Sequence, residues 1–222
     1  LPLILVETDG LGLLTGPPEG RRRLLDGTLF HVEQGFLAVW RRYAQAIRQR
    51  NAGLRRGILD GDSAWREELA QTGEQLTAVR AAVATQLGEK LCEIAPQLSD
   101  DLRGVELAFR PGWDRRETLA AALDRSAQTD KIQGFTRVGP HRADIKLTRD
   151  GVLVSEVLSR GQMKLMFVAI KLAQGQLIEA LSHRAPFYLI DDLPAELDQA
   201  HRAAVCTELG AQRQVLLTAV DR

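Results

Sequence analysis

Leu158-Ser159-Arg160-Gly161-Gln162, a nearly all-apolar segment, and then Pro186-Phe187-Tyr188-Leu189-Ile190-Asp191-Asp192-Leu193-Pro194-Ala195-Glu196-Leu197-Asp198 form the stretch on which the fold turns. Ser159 suits the cap of a helix from Gln162 to Leu181, because its side-chain oxygen takes a backbone N–H that the first turn leaves unpaired. Gly161 lets an anion come close to the backbone, so free N–H groups and the helix dipole face a phosphate. Phe187 to Ile190 read as a strand buried on both faces. Asp191 and Asp192 follow at its carboxyl end, where α/β sheets hold Mg²⁺ and activate water.

Ser-Arg-Gly-Gln before a long helix, then a buried strand ending in paired acids and a Glu-Leu-Asp turn, resembles the ABC-type ATPases, and most closely the RecF family of bacterial DNA-repair proteins. Under that resemblance Ser159, Arg160, Gly161 and Gln162 match the signature motif, Asp191 and Asp192 the Walker B pair, and Glu196-Leu197-Asp198 the D-loop. Each half alone is a short pattern, and both in this order make the match specific. The implied fold is α/β: an ABC-ATPase-like half sheet, an incomplete P-loop NTPase fold, with an inserted antiparallel helical arm domain. The expected division is residues 1–30 for the end of one ATPase lobe, 31–130 for the arm, and 131–222 for the lobe with signature, Walker B and D-loop.

Composition narrows the class further. With 222 residues and 45% apolar content the chain can bury a substantial core, and with 5% aromatics that core is aliphatic. Zero formal charge excludes a uniformly basic nucleic-acid binder without excluding local patches. Of the 29 cationic residues 24 are Arg, a bias that favours bidentate anion contacts and follows equally from GC-rich codon usage. Cys92 and Cys206 have no metal-ligand or disulfide spacing, no hydrophobic run reaches membrane-spanning length, and no signal peptide is visible, so a cytoplasmic protein without a membrane partner is expected.

Leu1 to Val6 reads as a strand. Gly10, Gly12 and Gly16 follow, but Thr15 stands where a dinucleotide fingerprint needs its third glycine, so turn chemistry is expected. Pro17-Pro18-Glu19-Gly20 leads into Arg21-Arg22-Arg23-Leu24-Leu25-Asp26, a stretch also similar to the RecF family. Between Arg21 and Arg56 there are nine arginines and two acids. Phe36, Trp40, Tyr43, Ile47 and Leu54 make an apolar stripe, and Arg41, Arg42, Arg48, Arg50, Arg55 and Arg56 load the remaining surface. Two readings stay open: a solvated helix face, or a DNA-binding surface of Arg21, Arg22, Arg23, Arg41, Arg42, Arg48 and Arg50 that tracks phosphates.

Asp60 to Ser63 form a turn and N-cap. Trp65, Leu69, Leu76, Val79, Val83, Leu87, Leu91 and Ile94 then trace a second helix ending before Pro96, which predicts an antiparallel hairpin. Val105, Leu107 and Phe109 alternate as a strand. Asp114 to Glu117 resembles a capping box opening a helix to about Gln128. Ile145 and Leu147, the Asp150-Gly151 turn, and Val152 and Val154 predict a hairpin. Gly139-Pro140-His141-Arg142 reads as a structural turn that RecF-like proteins share, and His31, His183 and His201 as incidental. A short helix from Asp198 to Glu208 leads to a buried strand at Val215 to Thr218, where Thr218-Ala219 replaces the phosphate-sensing histidine of most ABC ATPases.

A P-loop needs Gly-Lys before Ser or Thr, and none of Lys90, Lys131, Lys146, Lys164 and Lys171 follows a glycine. With an opening at Leu1 in strand-like sequence, this implies the carboxyl portion of a longer protein, inactive alone as an ATPase. The resemblance implies, for the parent protein, an ATP-dependent homodimer using ATP and Mg²⁺. Ser159, Arg160, Gly161 and Gln162 would meet the other subunit's nucleotide, Asp191 would orient the metal, Asp192 would polarise water, and Asp198 would couple the sites. It further implies binding to single-stranded and gapped duplex DNA, RecO and RecR as partners, loading of the RecA recombinase, and a role in the SOS response. The alternatives are an ATPase-inactive helical scaffold for DNA or protein partners, and an SMC-like clan member.

Overall fold

The computed structural model describes residues 1–7, 10–58, 60–192, 197–210 and 214–219. The chain divides into two compact units: a sheet unit of Leu1–Val32, Val83–Ala108 and Ile145–Arg222, and a helical unit of Glu33–Ala82 and Phe109–Asp144. This departs from the expected arm of residues 31–130, because residues 83–108 cluster with the sheet and residues 131–144 with the helices.

In the sheet unit β1 (Leu3–Val6), β5 (Phe187–Ile190) and β6 (Val215–Leu217) form a sheet of order β1-β5-β6. Both pairings are parallel, with Leu3 opposite Phe187, Val6 opposite Ile190 and Ile190 opposite Leu217. Helices α1 (Gly12–Thr15), α2 (Pro18–Val32), α6 (Val154–Val157), α7 (Arg160–Ser182) and α8 (Gln199–Leu209) belong to the same unit. Gly10 to Gly16, expected as turns, hold the single helical turn α1. The core is aliphatic as expected: Ile4, Val6, Met166, Ile170, Leu172, Ile190 and Val205 are at most 4% exposed, joined by Tyr188.

α7 packs against β1, α2 and α8. By length and composition it is apolar enough to cross a membrane, contrary to the expectation that no run reaches that length, and 61% of that stretch is buried inside the fold. Where α7 crosses β5 the backbone approaches closely. A Cβ on Gly175 would overlap the Tyr188 hydroxyl and lie 2.7 Å from ring carbon Cζ. Gly175→Ala is therefore expected to destabilise the protein by about 1–3 kcal/mol, checked by urea denaturation. Adding Tyr188→Phe should recover part of the loss, because the overlapping oxygen is removed.

A second sheet has order β2-β3-β4, from β2 (Val105–Arg110), β3 (Asp144–Arg149) and β4 (Val152–Leu153), with β3 and β4 antiparallel. Its turn residues Asp150 and Gly151 have φ of 53° and 79°, both left-handed as a type I′ turn demands. The return strand is shorter than expected, because Val154 already begins α6.

In the helical unit α3 (Phe36–Arg56) and the first part of α4 (Asp62–Leu98) form the expected antiparallel hairpin: Arg50 meets Asp62, and Arg42, earlier in α3, meets Glu68, later in α4. α4 does not stop before Pro96 but includes it. α5 spans Leu119–Gln133, later than expected. Asp114 turns the backbone instead, accepting from Arg116 N at 3.0 Å, and Thr118 is the N-cap. Tyr43, Leu54, Leu69, Leu76, Leu119 and Leu123 are among the unit's buried apolar residues.

Candidate functional site

Ser159 caps α7 as its sequence suggests, and Gln162 completes a reciprocal capping box. Ser159 Oγ accepts from Gln162 N at 3.3 Å, and Ser159 N donates to Gln162 Oε1 at 2.8 Å. Gln162 Nε2 donates to Asp101 Oδ2 at 2.9 Å, so Asp101, which the sequence did not single out, fixes the amide. The Ser-x-x-Gln spacing is the signal by which the capping box is legible. Ser159, Arg160 and Gly161 are exposed, and a Cβ on Gly161 would meet nothing within 4 Å. Open space beside a helix start is what anion approach requires.

Asp191 and Asp192 leave the carboxyl end of β5. Asp191 N donates to Val6 O at 2.9 Å, extending the pairing with β1. Thr218, just past β6, donates its hydroxyl to Asp191 Oδ1 at 2.6 Å and accepts from Asp192 N at 3.0 Å. One side chain thus braces both acids. Thr218 was noted only as the replacement for a histidine, and its bracing role depends on a parallel pairing of β5 with β6 that no local pattern announces. The Val215 to Leu217 strand, expected buried, is exposed at 37% to 54%, since it lies at the sheet's edge among the described residues. A small pocket at the carboxyl ends of β1 and β5 is lined by Val6 of β1, Glu7 just after it, Lys164 and Phe167 of α7, and Asp191.

Asp198 is the N-cap of α8, its Oδ1 accepting from His201 N at 2.9 Å and its Oδ2 lying 2.9 Å from His201 Nδ1. The His201 backbone N–H, followed by the charge and side chain of the same histidine, holds this exposed carboxyl below its ordinary value. His201, expected to be incidental, is thus the partner of Asp198. Glu196 of the expected Glu196-Leu197-Asp198 turn lies outside the described residues.

The candidate DNA-binding arginines fall on two elements. Arg21, Arg22 and Arg23 lie on α2 of the sheet unit, where Arg21 donates to Leu13 O at 3.0 Å and Gly16 O at 2.9 Å, and Arg23 pairs with Glu19. Arg41, Arg42, Arg48 and Arg50 lie on α3. Arg41 and Arg48 are exposed, and Arg42 makes a two-point contact with Glu68 at 2.9 and 3.0 Å. Arg50 departs from the surface reading: it is 2% exposed, with its guanidinium between Asp62 and Asp130. The helical period put it beside surface arginines, and its carboxylate partners from distant segments take it inward.

His141 is a strut in the helical unit. Nε2 lies 3.0 Å from Thr136 O and therefore carries the proton, leaving Nδ1 to accept from Tyr43 Oη at 2.7 Å. Burial pushes the Tyr43 hydroxyl above its ordinary value, which keeps it a donor. Among the described residues no group of three or more His, Cys, Asp or Glu is arranged to hold a metal.

No family model matches the chain. The DNA replication and repair protein RecF of Pseudomonas fluorescens (strain SBW25) is 42% identical over 224 residues, covering 100% of this chain and 61% of the relative. That of Chromohalobacter salexigens is 42% identical over 225 residues, covering 100% and 62%. Among solved structures, that of the recombination mediator protein RecF-ATP in the RecFOR pathway superposes with a TM-score of 0.85 at 21% identity, covering 99% of this chain and 62% of that one. The chain therefore spans 61–62% of the length of these curated relatives, and its fold is that of the RecF structure. Along its whole length the chain is thus similar to proteins of the RecF family, at 42% identity to these two relatives.

Proposed function

We propose that the chain is the signature-bearing part of an ATP-dependent DNA replication and repair protein, which works as a homodimer closed on nucleotide. The observation that carries this reading is the acid pair Asp191-Asp192, braced by Thr218 at the carboxyl edge of a parallel sheet, where such folds act on ligands. The exposed start of α7 belongs to the same unit.

In this reading Ser159, Arg160, Gly161 and Gln162 meet the terminal phosphate of ATP held by the partner subunit. The capping box uses Gln162 N and Ser159 N, which leaves the backbone N–H groups of Arg160 and Gly161 for the anion. Asp198, kept ionised at the start of α8, couples the two sites. Asp191 is exposed and braced on one oxygen, so it is the residue that would hold a Mg²⁺ ion. Bound there, Mg²⁺ supplies neutralisation of phosphate charge. Asp192 accepts a proton from the attacking water as general base.

Relatives named for DNA replication and repair support DNA as the substrate. The exposed Arg41 and Arg48, with Arg21, Arg22, Arg23 and Arg42, supply cations for phosphate, and their contribution is salt-dependent. We extend the reading to single-stranded and gapped duplex DNA, RecO and RecR as partners, assistance to RecA loading, a part in the SOS response, and a cytoplasmic setting.

The test uses the protein in its full reading frame. Asp192→Asn is expected to lower ATP turnover by at least about tenfold while leaving ATP binding intact. An unchanged rate overturns the role of Asp192, and absence of ATP binding in the wild type overturns the ATPase reading in favour of a scaffold.

A further inference from the structure

The helical unit carries a pocket of about 500 Å³ that the ATPase reading does not use. It is lined by α4, by Phe109 near the end of β2 and by the loop before α5, with Thr77, Phe109, Trp113, Arg115 and Arg116 as the informative residues. Its volume lies within the range of small-molecule sites.

Three features of the lining point to one ligand chemistry. The aromatic rings are held in place: Trp113 Nε1 donates to Glu117 O at 3.3 Å, and Phe109 is 9% exposed. Two cations and two carboxylates also line the pocket, and both acids are engaged: Glu74 Oε1 accepts from Leu119 N at 2.7 Å and Glu117 pairs with Arg125. Arg115 donates to Phe109 O, while Arg116 is exposed and among the described residues nothing engages its guanidinium. Thr77 Oγ1 is buried without a hydrogen-bond partner among the described residues. Helical threonines ordinarily return their hydroxyl to the carbonyl four residues back, as Thr72 does to Glu68 O at 2.6 Å. Thr77 does not, so a buried hydroxyl in the pocket wall has its hydrogen-bonding capacity unmet.

We propose that this pocket takes one nucleotide unit: a heterocyclic base against Trp113 and Phe109, its edge hydrogen-bonded by Thr77 Oγ1, its phosphate on Arg116. Aromatic side chains in the lining, a polar group for a base edge and an exposed cation together match a base with its phosphate. The pocket is separate from the ATP-site residues, and the inference rests on the DNA reading above for the source of that nucleotide. An unpaired base in single-stranded DNA and a free nucleotide share this chemistry.

The experiment uses the protein in its full reading frame with three probes: a labelled twelve-residue deoxyadenosine strand, a strand of equal length with abasic sites, and free deoxyadenosine monophosphate as competitor. Trp113→Ala is expected to weaken binding of the deoxyadenosine strand about tenfold. Thr77→Val should weaken it severalfold while leaving the melting temperature unchanged or raised, because it removes an unmet hydroxyl at nearly constant volume. That opposition separates binding from folding. Competition by the free nucleotide, lost in Trp113→Ala, assigns the pocket to a free nucleotide; binding of the strand alone assigns it to a base within DNA. Equal binding of the abasic strand, wild-type affinity in both variants, or no binding of any probe overturns the proposal. ATP turnover that still falls in Asp192→Asn shows that the ATPase reading survives such a failure.

Discussion

Arg50→Met is expected to lower the unfolding free energy of the helical unit by about 3–5 kcal/mol, the cost of removing one partner from a buried ion pair. Arg50 Nε lies 3.0 Å from Asp62 Oδ1, and Nη1 lies 2.8 Å from Asp130 Oδ2 and 2.9 Å from Thr136 Oγ1. The side chains of Arg50, Asp62 and Asp130 are 1%, 11% and 0% exposed, so water cannot replace the lost partner at Asp130. Asp62 retains Arg66 at 2.9 Å. Asp130 keeps only neutral donors, Arg137 N at 3.2 Å and Ser126 Oγ at 3.2 Å. The loss should therefore fall mainly on Asp130, and Asp130→Asn in the Arg50→Met background should recover part of it. Urea denaturation of the four variants of this cycle measures the coupling, and a single-variant loss below about 1 kcal/mol would rule out a structural charge network here.

Lys171→Met is expected to stabilise the protein at pH 7, by an amount that shrinks as the pH rises. Lys171 is half-buried on α7 and donates to the neutral Gln174 Oε1 at 3.1 Å. Burial lowers its ammonium pKa from 10.5 to about 8, with Glu7 acting in the opposite direction. The unfolded chain thus binds more protons than the folded one between pH 8 and 10.5, and wild-type stability rises across that window. Below about pH 8 the cost of a buried cation is fully present, and it corresponds to about 3 kcal/mol over the whole shift. The measured quantity is the difference in unfolding free energy between Lys171→Met and wild type at pH 7 and pH 10.5. A difference that does not change with pH would contradict the burial of this charge.

Much of the architecture was legible in the sequence. The period of Phe36 to Leu54 and of Trp65 to Ile94, the Asp150-Gly151 turn, and the strands at Leu1 to Val6 and Phe187 to Ile190 all lie where local pattern places them. Departures arose from local competition as well as from distant partners. Thr118 rather than Asp114 starts α5 because a threonine oxygen there reaches Ala121 N at 3.2 Å. Pro96 sits within α4 although proline is a poor residue for a helix interior. Arg50 reads as a surface cation until Asp62 and Asp130, from other helices, are placed beside it. The same holds at the acid pair. Asp191 and Asp192 are visible as a motif, and Thr218 is not, because its contact with them spans 27 and 26 positions.

The backbone at Asp192 has φ of 48°, in the left-handed region. Aspartate, asparagine and glycine enter that region far more readily than longer side chains. A short acid therefore suits this turn better than a longer one, because main-chain conformation here favours a side chain that tolerates positive φ. Two practical consequences follow for anyone altering this position. Asparagine removes the charge and keeps the turn, whereas glutamate keeps the charge and strains the turn, so an exchange usually called conservative is here the more disruptive one for the backbone.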